Sequence, residues 1–378
     1  MNRREECAVC GAGGLIPILA TPPYPVYQGC VGFARGDDET APMAWSACAA
    51  CGSAQIVSLP PLERIYQAGH ATGLGAAWAR HHAAFAAFVQ AHATGAIVDV
   101  GGGSGTLALA YKRGGGDAPW TILEPNALRA AGLPADVNVV DGFLGDAALQ
   151  AIGANSVVMS HVLEHVIDLK DALRVLRDAA ACRTVLLAWP ELEAWTAKGQ
   201  AGALNFEHNL YVSAPRLEAA FGAAGWRLHA RRRWDENDTL FLCFVRGDGR
   251  TDAPPSDPSA PIARYYAGFR AQAKALDDAL ARHDGDAFLM PASVYAQTLI
   301  AEGLQEGRFK ALLDNAAVKQ GRRLYGTGLT VAAPEAALAA ARRPLIVLNG
   351  GAHEAEIAEN LHALHRDAVI LRSDATPI

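Results

Sequence analysis

The chain has 378 residues, enough for two or three domains, and its 51% hydrophobic and 19% charged content is that of a folded globular protein. A formal net charge of −6 excludes the overall basic field that nucleic acid demands; the only compact basic run, Arg231-Arg232-Arg233, reads as a solvated strand end. The start, Met1-Asn2-Arg3-Arg4-Glu5-Glu6, has no apolar stretch behind its charges, and no apolar run reaches the roughly 20 residues that cross a bilayer. Neither a nucleic-acid nor a membrane partner is expected. A cytoplasmic location follows, where cysteine pairs point to metal rather than disulfides.

Residues 1–61 show little periodicity and many Gly and Pro. Their pattern is Cys7-Ala8-Val9-Cys10-Gly11, repeated as Cys48-Ala49-Ala50-Cys51-Gly52. Each copy places two thiolates on one tight turn that the trailing glycine relieves, and two such turns close a tetrahedron. One structural zinc held by Cys7, Cys10, Cys48 and Cys51 is expected, with no open position for chemistry. Cys30, Cys182 and Cys243 have no partner at such spacing and read as small hydrophobes. Residues 62–92 are Ala-rich, with Trp78, Phe85 and Phe88 spaced for one helix face. His81, His82 and His92 on that helix read as satisfied or exposed histidines rather than as a metal cluster.

Strands and helices then alternate, which predicts a parallel sheet. The strand Ile97-Val98-Asp99-Val100 runs into Gly101-Gly102-Gly103-Ser104-Gly105 and a helix from Thr106. Further strands are read at Trp120-Thr121-Ile122-Leu123, ending in Glu124, at 137–140, ending in Asp141, at 156–160, and at 184–189, stopped by Pro190. Helices are read at 169–180 and 217–225, and a late strand at 239–245. Residues 247–261 are a linker by composition. A helix at 262–282 resumes order, followed by a second, smaller βα alternation to the end of the chain.

The glycine loop lets backbone N–H groups approach a nucleotide-type cofactor at the carboxyl edge of the sheet. A dinucleotide fingerprint would put its third glycine at 106, where Thr106 stands, so the pattern is acid-x-G-x-G-x-G centred on Asp99. Glu124 is placed to accept ribose hydroxyls, and Asp141 to meet an adenine amine. With Ser160-His161-Val162-Leu163-Glu164-His165-Val166, these pieces resemble a class I S-adenosylmethionine-dependent methyltransferase. The resemblance implies that Asp99, Gly101, Gly103, Gly105, Glu124, Asp141 and His161 line the donor site. Glu164 and His165 read either as part of that site or as a packed helix start.

The order of cysteine knuckles, glycine-loop domain and C-terminal α/β domain further resembles the zinc-containing nucleotide-sugar C-methyltransferases. Lys319-Gln320-Gly321-Arg322-Arg323-Leu324-Tyr325-Gly326-Thr327 is a later match. The implied fold is an α/β, Rossmann-like methyltransferase domain at 62–246, with a zinc-knuckle segment at 1–61, the linker at 247–261 and a smaller α/β domain at 262–378. That family carries Tyr-His-Glu-His after its fifth strand. This chain has Asn205-Phe206-Glu207-His208, followed by Asn209-Leu210-Tyr211. Glu207 and His208 match, which implies His208 as general base for methylation beside a ketone, on a nucleotide-linked deoxysugar. Asn205 or Tyr211 would take over the missing tyrosine's hydrogen bond. Ser293 and Tyr295 are read as substrate contacts or as a cap and a packed aromatic. O- or N-methylation of another small polar metabolite remains an alternative, as does a non-catalytic zinc- and donor-binding scaffold. Monomer and homodimer both stay open.

Overall fold

The computed structural model describes residues 2–66, 76–125 and 132–378. Its largest sheet has seven strands, in the order Trp226–Trp234, Thr239–Arg246, Thr184–Pro190, Ser156–Ser160, Ile97–Val100, Trp120–Leu123, Val137–Val140. The five consecutive strands from Thr184–Pro190 to Val137–Val140 are parallel, and Thr239–Arg246 runs antiparallel beside Thr184–Pro190. Ile97–Val100 and Thr184–Pro190 are buried along their whole length, as a sheet covered on both faces requires. The chain leaves Ile97–Val100 toward one side and returns to Ser156–Ser160 on the other. The carboxyl ends of these two neighbours therefore open a crevice at the point where strand order reverses.

The expected alternation is present, with differences that have local causes. The helix read over 62–92 is a short turn, Leu62–Ile65, and a helix, Ala76–His92; residues 67–75 lie outside the described residues. The basic run 231–233 is exposed near the end of the Trp226–Trp234 edge strand, in keeping with its reading as a solvated strand end. The linker is shorter than its composition suggests, because the helix Ser259–Leu280 begins inside it.

Residues 1–61, which show little periodicity in sequence, contain two long strands, Leu15–Pro25 and Thr40–Cys48, which pair antiparallel through two irregularities. The prolines and alanines of these strands hide their alternation. Their four-stranded sheet is completed by Ala54–Ile56 and by Leu210–Tyr211, which arrives from the far side of the large sheet. The N-terminal segment and the loop carrying residues 205–208 are thus one piece of structure. The C-terminal part holds a five-stranded parallel sheet, Val331–Ala332, Ala311–Leu313, Ala287–Met290, Leu345–Leu348, Val369–Leu371. No helix among the described residues is long and apolar enough to cross a membrane.

The first and last parts of the chain are also tied to each other. Cys30–Val31 pairs with Arg323–Leu324, and Gln297 donates to the carbonyls of Tyr27 and Tyr325. Arg323 grips Asp38 with both terminal nitrogens, at 2.6 and 2.8 Å, where the two side chains are only 12% and 5% exposed. Asp38 in turn accepts the Gly326 N–H. Removing one partner of such an enclosed pair leaves a buried charge, at a cost of about 3–5 kcal/mol. Asp38→Ala is accordingly expected to lower the thermal midpoint by several degrees, and Asp38→Asn by less. Calorimetric melts of the three proteins measure it.

Candidate active site

The glycine loop turns on three left-handed residues, Gly101, Gly103 and Gly105, with φ of 68, 53 and 88°. A side chain there would be strained in any case, and at Gly101 a Cβ would come within 2.6 Å of Val162. The loop thus offers a bare backbone at the end of Ile97–Val100, opening into the helix Thr106–Arg113. Glu124, just beyond Trp120–Leu123, reaches back so that Oε2 accepts the Gly103 N–H at 3.2 Å. Asp141 is exposed just past Val137–Val140. Asp99 is placed differently from the expectation that it lines the donor site. It is 1% exposed and lies under the loop, where a Cβ on Gly102 would meet its Oδ2 at 2.7 Å. Burial pushes its carboxyl up to about 8, against the pull of the Trp120 indole and with the help of Glu124.

Across the crevice, His161 follows Ser156–Ser160 with φ of 53°, a left-handed turn that redirects the chain at once. Its Nδ1 donates to Glu164 Oε1 at 3.2 Å, and its Nε2 lies 3.3 Å from the Thr239 hydroxyl. Glu164 is wholly buried in the turn Leu163–His165. Burial pushes its carboxyl up, but the hydrogen bond from His161 and the charges of His161, His165 and His208 outweigh that and leave it below the usual carboxylate range. His165 Nδ1 lies 3.1 Å from the Tyr66 hydroxyl and 4.0 Å from Glu207 Oε2. The His165 and His208 rings meet edge to face, 4.7 Å between centroids. Trp195 walls the group, its ring 6.0 Å from those of both His161 and His208. Burial, and then His165, push the His208 imidazole down to about 4, against the pull of Glu164 and Glu207, so it is neutral near pH 7.

The loop bearing His208 is held from within. Asn205 Oδ1 accepts the N–H groups of Glu207 and His208, both at 2.8 Å, and its Nδ2 donates to the Gly202 carbonyl at 2.9 Å and to Gln28 Oε1 at 3.3 Å. Arg4 reaches in to Asn209 at 2.6 Å and to the Ile167 carbonyl. The expected catalytic group is therefore divided. Glu207 and His208 meet Glu164 and His165, whereas Asn205 spends its amide on the turn. Tyr211 is paired in a strand with Ala54, its phenol beside Thr196 and Glu193. Tyr295 is buried against Phe269, and Ser293 precedes a helix without capping it through its side chain.

Tyr66 and Trp195 belong to the cluster without a sequence signal, since neither stands in a motif or at a spacing that points to this place. His81 also departs from its reading as a satisfied helix histidine. It is buried, stacked on Phe241 with centroids 5.4 Å apart, and neither ring nitrogen has a hydrogen-bond partner. His82 Nε2 lies 3.3 Å from the Thr106 hydroxyl at the loop's helix.

The two cysteine knuckles have the same turn. Gly11 and Gly52 take φ of 76 and 74°, and their N–H groups donate to the Cys7 and Cys48 carbonyls. The four sulfurs lie within 4.8 Å of one another, with Cys7–Cys51 and Cys10–Cys48 each at 3.7 Å. A tetrahedron with metal–sulfur bonds of about 2.3 Å has sulfur–sulfur edges of about 3.8 Å, whereas a disulfide needs about 2.05 Å. The group fits a four-thiolate metal.

Residues 70–231 match the family model of a methyltransferase domain. Solved structures with similar folds include CalO1, a methyltransferase in calicheamicin biosynthesis in its SAH-bound form, at 22% identity and a TM-score of 0.36 over 45% of this chain and 54% of that one. Mitomycin 7-O-methyltransferase MmcR is 22% identical with a TM-score of 0.35, over 44% and 54% of the two chains. An O-methyltransferase family protein from Burkholderia thailandensis is 20% identical with a TM-score of 0.36, over 46% and 58%. This chain spans about half the length of each of the three. No curated protein matches the chain. The chain carries a methyltransferase domain.

The buried Asp99 makes a test of the loop. Its native value lies above its unfolded one, so its contribution to stability is full below about pH 4 and is lost as pH rises through about 8. Asp99→Asn, which keeps the shape and removes the charge, is expected to gain on the parent protein as pH rises from about 5 to about 9, by several °C in melting temperature, on the order of 4 kcal/mol. Thermal melts across that range check it.

Proposed function

We propose that this chain transfers a methyl group from S-adenosylmethionine to an oxygen of a small polar acceptor bound beside His208. When bound, the donor supplies a methyl carbon made electrophilic by its sulfonium, which an acceptor's electron pair takes as the carbon–sulfur bond breaks. The chain's own residues have three tasks. The bare loop of Gly101, Gly103 and Gly105, with Glu124 and Asp141 at the next two strand ends, holds the donor's polar groups. Asp99 supports that loop from below, and His161 borders the donor from the opposite strand. In the metal-free chain, neutral His208 takes the acceptor's proton, with Glu207 and Glu164 close enough to stabilise the resulting imidazolium.

The observation that carries oxygen over carbon is Asn205. Methylation beside a ketone needs a donor for the enolate oxygen. Asn205 has its hydrogen bonds within its own turn and to Gln28, and the Tyr211 phenol is spent beside Thr196 and Glu193. A second reading, C-methylation of a nucleotide-linked deoxysugar, keeps one point in its favour: the Tyr66 phenol stands at His165, where such a donor would be needed. The knuckles hold one structural zinc on this reading, which fastens the N-terminal sheet and, through Leu210–Tyr211, the loop of His208.

Calorimetry is expected to show S-adenosylhomocysteine binding and no response to NAD; the reverse would end the methyl-transfer reading. With a 13C-methyl donor and a panel of hydroxylated metabolites and nucleotide sugars, NMR of the product separates an O-methyl from a C-methyl carbon. His208→Ala is expected to keep S-adenosylhomocysteine affinity and lose turnover by roughly 10²- to 10⁴-fold. Unchanged turnover would remove His208 from the chemistry. Elemental analysis is expected to find about one zinc in the knuckles, and Cys48→Ser to lose it together with several kcal/mol of stability.

A further inference from the structure

A wholly buried carboxylate is costly unless it is neutralised or bound. Glu164 is wholly buried, its Oε1 is engaged by His161, and its Oε2 has no hydrogen-bond partner among the described residues. The Nδ1 of His208 is likewise enclosed without a partner. Glu164, His165 and His208 each offer one ligand atom, and the three lie within 4.8 Å of one another. They come from two separate stretches, the turn after Ser156–Ser160 and the loop before Leu210–Tyr211, which converge at the crevice. We propose that these three residues form a binding site for a divalent first-row transition ion.

The donor set supports that class of ion. Two imidazoles and one carboxylate suit Mn²⁺, Fe²⁺, Co²⁺ or Zn²⁺, where Mg²⁺ and Ca²⁺ prefer oxygen alone. Bonds of about 2.0–2.2 Å bring ligand atoms to about 3 Å apart, within reach of side-chain rotation from the separation seen. The surrounding contacts are of the kind that orient metal ligands. The His161 Nδ1–H fixes the Glu164 carboxylate and leaves its other oxygen available. The Tyr66 hydroxyl at His165 Nδ1 steers the orientation of that ring. Three protein ligands leave positions open for an acceptor oxygen.

What the ion does there rests on the methyl-transfer reading. A hydroxyl bound to it loses its proton to water far more readily than a free one, so the ion prepares an oxygen nucleophile. His208 then serves as a ligand, and the bound ion takes over the task of lowering the acceptor hydroxyl's hold on its proton.

The test is direct binding. The full chain, with its knuckles loaded with zinc, is dialysed against EDTA at a strength that leaves that zinc in place, then titrated with Mn²⁺ while the free ion is followed by EPR. One equivalent is expected to bind, and Glu164→Gln and His208→Gln are each expected to weaken it at least tenfold while keeping S-adenosylhomocysteine affinity in calorimetry. Absence of binding by the parent protein, or unchanged binding in both variants, overturns the site. If the variants do not fold, Co²⁺ added to the parent protein decides. Nitrogen and oxygen ligands give weak visible bands without the intense near-ultraviolet thiolate bands of a four-cysteine site. Only thiolate bands, or no bands, would refute the proposal. S-adenosylhomocysteine binding without metal binding defeats this inference alone. Metal binding without S-adenosylhomocysteine binding defeats the methyl-transfer reading and leaves the metal site standing.

Discussion

One buried carboxylate, Glu164, governs the arrangement of the crevice. An isolated charge in an apolar interior costs several kcal/mol, so the fold must surround it with groups that stabilise it. The structure does so with three imidazoles, from His161, His165 and His208, which sit on the end of one strand, the turn that follows it and a distant loop. His161 requires the left-handed turn at the end of Ser156–Ser160, which aims that strand end at the glycine loop. His208 requires the loop after Thr184–Pro190 to fold back over the turn. The demand of one charge thus fixes how the turn after Ser156–Ser160 and the loop carrying His208 meet in the crevice.

Holding His208 in that position is work shared by parts of the chain far apart in sequence. Asn205 closes the turn and reaches Gln28, Arg4 crosses to Asn209, and Leu210–Tyr211 is clamped into the N-terminal sheet. The C-terminal part abuts the same loop, where Gly202 lies close to Val294. A catalytic group on a free loop would lose the definition that chemistry needs; here packing and hydrogen bonds from several segments supply it. The cysteine knuckles stand at the base of this arrangement.

Six of the seven strands of the large sheet were legible in the sequence because they are short apolar runs punctuated by glycines and acids, whereas the arginine-rich Trp226–Trp234 was not. A run such as Ile97–Val100 before Gly101 has few other ways to fold. The glycine loop and the cysteine knuckles were legible for a related reason, since backbone conformation and thiolate spacing are local properties. The N-terminal strands were not. Leu15–Pro25 carries four prolines, and its pairing with Thr40–Cys48 is set by partners elsewhere. Tyr66 and Trp195 were invisible because only the folded chain brings them to His165 and His208. Asp99 shows the converse: its position in the motif is plain, yet one turn of backbone decides whether its carboxylate faces the crevice or lies beneath the loop.

Asn205 shows how one side chain shapes the strap that carries His208. A tyrosine there would present a phenol to the acceptor from a short strap. Asparagine instead folds its amide back onto the N–H groups of Glu207 and His208, the turn chemistry that asparagine favours. The strap becomes more rigid and loses its reach into the crevice, and the hydrogen bond an enolate would need has to come from elsewhere or go unmade. An oxygen nucleophile makes no such demand, because its charge is spent in forming the new bond. The four hydrogen bonds of Asn205 thus commit its amide to the strap and to Gln28.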